Sequence, residues 1–98
     1  MFVGALTLDL LLGDVRSLKQ KRSVVRPIVA ELQRVCSASV AETGAQDLYR
    51  RSEIGVAVVA ATASHCSHLM DTCEGLVADR PEVELLSARQ RLFSPEED

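Results

Sequence analysis

Aromatic side chains are nearly missing from this sequence: it holds no tryptophan, one tyrosine and two phenylalanines in 98 residues. That scarcity excludes the mode of RNA recognition in which a sheet stacks bases on exposed rings. Cysteine is sparse and odd in number, three in all, so nothing points to a disulfide-stapled secreted scaffold. A long hydrophobic run is absent as well. The apolar opening from Met1 to Leu12 carries Asp9, has no basic residue before it, and is far shorter than the ~20 residues that span a bilayer. It reads as a strand. Without an export signal in view, the expectation is a cytoplasmic protein of a reducing, bacterial-type cytosol, with Cys36, Cys66 and Cys73 as thiols and no membrane partner.

Positive charge is scarce in the second half of the chain. Residues 52–98 hold three Lys/Arg against nine Asp/Glu, while residues 1–51 hold eight against five; the halves carry -6 and +3 and sum to the net -3. The basic charge is concentrated, with Arg16, Lys19, Lys21, Arg22 and Arg26 in one short stretch. That stretch is the one electrostatic feature suited to a polyanionic partner.

What is present suits one folded domain. With 47% hydrophobic and 26% charged residues, the chain is too apolar to be disordered, and at this length it builds a single core. Phe2–Leu12 alternates, placing Phe2, Leu6, Leu8, Leu10 and Leu12 on one face and Val3, Ala5, Thr7 and Asp9 on the other. Gly13-Asp14 ends this strand, and Ser17 stands where a helix N-cap belongs. In the helix that follows, Leu18, Val25, Val29, Leu32 and Cys36 share one stripe. Pro27 inside it implies either a kink, the preferred expectation, or a start later than Ser17. Ala38–Thr43 reads as a second strand leading into Gly44, an expected positive-φ position. Glu53–Ala61, with Ile54, Val56, Val58 and Val59, is apolar enough for the sheet centre. Thr62 or Ser64 caps a second helix whose Cys66, Leu69, Met70, Cys73, Leu76 and Val77 repeat at threes and fours. Pro81 closes it, and Val83–Phe93 is a last strand.

The order β-α-β-β-α-β implies an α+β, ferredoxin-like sandwich: a four-stranded antiparallel sheet with two helices on one face, and the first and third strands in the middle. Residues 1–93 form the domain; Ser94–Asp98 is expected to be a flexible acidic tail.

Three stretches carry a resemblance: Ser17-Leu18-Lys19-Gln20-Lys21-Arg22, then Ser39-Val40-Ala41-Glu42 with Gln46-Asp47-Leu48, then Ile54-Gly55-Val56-Ala57-Val58-Val59. In this order they resemble the YlxP-like family of small bacterial proteins, a domain family of unassigned function, over Met1 to about Phe93. The resemblance implies the ferredoxin-like fold, a cytosolic bacterial protein, and genes often placed between those of a translation initiation factor and a ribosome-binding factor. It implies no reaction. After Leu48, where many relatives look to carry Trp, this chain has Tyr49.

The chemistry-bearing candidates follow. Ser17, Lys19, Lys21, Arg22 and Arg26 can hold phosphates of an RNA, helped by helix-start amides; the plainer alternative has Lys21 and Arg22 at the core edge, paired with Asp9, Asp14 or Glu42. The hairpin residues Glu42, Gln46, Asp47, Tyr49 and Arg51 form either an internally satisfied turn or a recognition loop. On the sheet face away from the helices, Val3, Ala5, Thr7, Gly55, Ala57 and Val59 are small or apolar, which suggests a homodimer interface through Val3, Ala5, Ala57 and Val59. His65, Cys66, His68 and Cys73 share a helix, but Cys66 and Cys73 fall on its core stripe, and no metal spacing is present. No nucleophile with an oriented base and no phosphate loop occurs, so neither an enzyme nor a cofactor is expected. The leading expectation is a non-enzymatic accessory of translation or ribosome assembly that contacts rRNA or a ribosomal protein; the alternative is a homodimeric interaction or regulatory module without nucleic-acid binding.

Overall fold

Strict alternation in the first strand decides the architecture, because a period-two strand has one face to bury. Leu6, Leu8, Leu10 and Leu12 are at most 1% exposed, while Val3, Ala5, Thr7 and Asp9 on the other face remain partly accessible. The structure, a computed structural model, describes residues 1–95. Six elements follow in order: β1 (Phe2–Leu12), α1 (Leu18–Cys36), β2 (Ser39–Gly44), β3 (Arg51–Ala60), α2 (Ala63–Ala78) and β4 (Val83–Phe93). The strands make one antiparallel sheet in the order β2-β3-β1-β4. This is the α+β ferredoxin-like arrangement, with the two most apolar strands central.

Both helices turn their apolar stripes to the leucine face. α1 buries Lys21, Val25, Ile28, Leu32 and Cys36, and α2 buries Cys66, Met70, Cys73 and Val77; together with β1 and β3 they form one core. The expected stripe of α1 is slightly out of phase: Ile28 lies at its centre, and Leu18 and Val29 are only half-buried. Ser17 caps the helix, its Oγ accepting from the Gln20 amide at 3.1 Å, so the later start is excluded and α1 runs through Pro27. The helix tolerates that proline because Pro27 and Ser23, whose carbonyl loses its partner amide, both face solvent. Thr62, not Ser64, caps α2 by accepting from the His65 amide.

Two backbone details correct the sequence reading. Gly44 has no positive φ; the left-handed residue of the hairpin is Ala45, at φ 56°, and a second, Ser37 at φ 49°, ends α1. Register shifts occur in β2 between Glu42 and Gly44 and between β1 and β4 beyond Asp9, where Ser87 opposes Asp9 and Leu85 opposes Leu10. Glycine matters most at Gly4, on the buried face under α2. A Cβ there would lie 2.8 Å from Met70 Sδ and 2.9 Å from Val58 Cγ2, so the missing side chain lets helix and sheet approach.

Arg80, just after α2, bolts that end of the helix layer. Its guanidinium reaches Glu31 of α1 at 3.2 Å and Glu82 at 3.7 Å, and donates to the Pro27 carbonyl at 3.4 Å. Of the expected flexible tail, Glu96–Asp98 lie outside the described residues.

Candidate nucleic-acid interface

The first turn of α1 is built by its cap. Ser17 Oγ takes the Gln20 amide, and Gln20 Oε1 in turn accepts from the Arg16 amide at 2.7 Å, a reciprocal arrangement like a capping box. The Ser17 hydroxyl therefore has an internal partner. Arg16 is paired with Asp14 at 3.2 Å, both well exposed.

Beyond the cap the basic residues divide. Lys19, Arg22 and Arg26, at i, i+3 and i+7, share one side of the helix. All three are exposed, and none has a hydrogen bond or ion pair among the described residues. Lys21 points the other way. Its side chain is 3% exposed, and its ammonium lies 2.9 Å from Glu42 Oε2 and donates to Ala45 O at 2.7 Å and, more weakly, to Gln46 O at 3.4 Å. Ser52 Oγ donates to the same Glu42 oxygen at 2.6 Å. With these three acceptors, Lys21 has no hydrogen left for an added phosphate. Glu42 is the partner that the plainer alternative included; Asp9 instead accepts from Ser87 and faces Arg89, and Asp14 faces Arg16.

The buried lysine fixes the start of the β2–β3 hairpin against α1, leaving a groove of about 470 Å³ between them. Its helix side is lined by Leu18, Lys21, Arg22, Val25, Arg26, Val29, Ala30 and Gln33, with Glu42, Gln46 and Asp47 on the other. Gln46 Nε2 donates to Glu42 O at 3.1 Å. Among the described residues, two unpaired guanidinium groups thus face one unneutralised carboxylate, Asp47, because the charge of Glu42 is met by Lys21. The groove brings together Lys21, Arg22 and Arg26 of the first candidate set with Glu42, Gln46 and Asp47 of the second, while Ser17 and Lys19 lie outside its lining. Tyr49 and Arg51, with Leu48 and Arg50, line a second, shallow surface at the hairpin tip, which meets the groove at Asp47.

Sequence reasoning missed three contributors. Arg50 Nε donates to Gly13 O at 2.8 Å and Leu12 O at 3.2 Å, tying the hairpin to the end of β1. Arg89 and Arg91 stand on the outer sheet face opposite Thr7 and Ala5, with Arg91 5.0 Å from the Phe93 ring centre. Phe93 lies beside Val3, and Val3 beside Val59, which is 62% exposed; Ala5 and Ala57 are likewise neighbours. Alternation within β4 was the available signal, but the register shift breaks it.

The remaining titratable candidates sit apart. His65 and His68 are exposed on α2, whereas Cys66 and Cys73 are buried beneath it and free, as is Cys36. Burial pushes the Cys66 thiol up. It pushes Cys73 up to about 12, with a hydrogen bond to Cys36 and that thiol's charge adding to the effect. Among the described residues no three His, Cys, Asp or Glu side chains gather as a metal site, and no helix is long and apolar enough to cross a membrane.

Sheet order, helix placement and the clamped hairpin together define a small ferredoxin-like protein, and residues 3–90 match the family described as "Protein of unknown function (DUF503)"; the chain belongs to that family. It is similar to the "Uncharacterized protein YlxP" of Bacillus subtilis (strain 168), with 26% identity over 91 residues that cover 93% of this chain and 99% of the relative.

Proposed function

We propose that this protein is a non-catalytic accessory of translation or ribosome assembly that contacts RNA, rRNA above all, through Lys19, Arg22 and Arg26. The observation that carries the proposal is their placement: three exposed, unpaired cations on one side of α1, in a chain whose net charge is -3. Phosphates are held by such cations as point charges and forks. The gene neighbourhood implied by the family resemblance supplies the link to translation.

Salt dependence tests this directly. Three phosphate contacts give a slope of log affinity against log salt of about -2 to -3. Replacing Lys19, Arg22 and Arg26 together by Ala abolishes that slope if they are the site; unchanged RNA affinity in the triple variant would remove them from it. Co-sedimentation with small-subunit particles at low salt, lost at high salt, is the expected result in lysate.

A second reading, a homodimeric interaction module, is favoured by one observation: Val59, Val3 and Phe93 form an exposed apolar row continuous with Ala5 and Ala57 on the outer face. Such patches commonly mark interfaces. On this reading Val59→Lys gives a folded monomer by light scattering, and a persisting dimer would place the contact elsewhere.

A further inference from the structure

We infer that the groove between α1 and the β2–β3 hairpin takes one unpaired nucleotide of an RNA strand, making the protein selective for single-stranded over duplex RNA. This rests on the RNA contact proposed above and adds a base pocket to it. At about 470 Å³ the groove falls in the range of sites for small ligands, whereas a duplex offers no base to enter it. Leu18, Val25 and Val29 give the groove's helix side an apolar strip that suits one planar face.

Stacking needs a second surface, and the chain has almost no aromatic rings. Guanidinium planes also stack on bases, and Arg22 and Arg26 border the groove with no other partner among the described residues. The same two residues, with Lys19, lie where the flanking phosphates would run. The opposite side supplies groups that read a base edge. Asp47 is an acceptor for an exocyclic amine, as carboxylates are for cytosine. Gln46, whose Nε2 is engaged by Glu42 O, keeps its carbonyl oxygen as a second acceptor.

Charge distribution argues against a duplex, whose recognition spreads over a long, rigid surface. Among the described residues the unpaired cations Lys19, Arg22 and Arg26 lie in a row on one side of α1, and the second half of the chain holds -6; a flexible strand can follow the row and avoid the acidic regions. An acidic peptide is a poorer occupant. Asp47 would repel it, and the Glu42 carbonyl on edge strand β2 is already covered by Gln46, which hinders strand addition.

The test is fluorescence anisotropy of the full chain with labelled eight-nucleotide homopolymers, a duplex RNA of matching length, and polyglutamate. Single strands are expected to bind on the order of tenfold more tightly than duplex. Asp47→Asn is expected to change the preference among bases by a similar factor while leaving the salt slope intact. Ala30→Leu, at an exposed position, narrows the groove and is expected to erase the preference for single strands. Equal binding of single strands and duplex, abolished by the Lys19, Arg22 and Arg26 triple variant, would overturn the base pocket and leave the phosphate contact standing. No RNA binding at all would overturn both, and polyglutamate binding lost on replacing Arg22 and Arg26 would assign the groove to an acidic protein segment.

Discussion

Lys21 stands in a run of basic residues and belongs to the core. A buried ammonium is tolerated only with its charge matched and its hydrogens accepted, and Glu42, Ala45 and Gln46 meet both demands. Lys21→Met keeps the length of the chain and strands Glu42. Since Glu42 is about a quarter exposed, the expected loss is near the low end for broken buried pairs, about 3 kcal/mol in urea unfolding. A double variant with Glu42→Gln is expected to recover part of it. A loss below about 1 kcal/mol would make the pair equivalent to a surface ion pair. Cys73 gives a second prediction, in pH. Its thiol loses a proton near 9.0 when exposed and near 12 in the fold, so the folded state favours the protonated form. That contribution is complete below pH 9 and is lost as pH rises from 9 towards 12. Alkaline urea titrations are expected to show a shallower decline in Cys73→Ala than in the parent chain, and Cys73 is expected to resist thiol reagents at neutral pH in the native state.

At the scale of elements, the closeness of α2 to β1 depends on a position with no side chain. Gly4→Ala puts a methyl within 3.0 Å of Met70, Val58 and Cys66 side-chain atoms, and overpacking of this kind costs about 1–3 kcal/mol. Thermal unfolding measures it, and a neutral result would mean that α2 shifts without loss. Element types were legible because periodicity dominates: alternation marked β1 to the residue, the apolar content of Val83–Phe93 marked β4, and Ser17 was foreseen as the cap of α1, with Thr62 one of two candidates for α2. What escaped notice has definite physical causes. Lys21 lies in the register 18, 21, 25, 28, 32, 36 that fills the inward stripe of α1; its place at the core edge with Glu42 was one of two sequence alternatives, but charged neighbours on both sides favoured a phosphate-binding role. The left-handed turn residue fell on Ala45, whose side chain gives no hint of it, instead of Gly44. The groove brings together residues about twenty positions apart in sequence, a juxtaposition that only the packing of α1 on β2 creates.

For the molecule as a whole, the core is shared. β1 and β3 feed a single cluster with both helices, and Arg80 spans from the end of α2 to Glu31 of α1. Neither helix can leave without exposing apolar surface that the other also covers. One cooperative transition is therefore expected: far-UV circular dichroism and labelling of the three buried cysteines are to give the same urea midpoint. Separate midpoints would show that the α1–β2 side opens on its own.

The lysine clamp also bears on the speed of encounter. Residues 45 and 46 are held from inside by an ammonium group, so the groove wall stands in place before a visitor arrives. The backbone of that wall needs no ordering. On the RNA contact proposed above, capture there is expected to be a collision problem, governed by diffusion and ionic strength, with a single fast phase in stopped flow and no slow rearrangement after it.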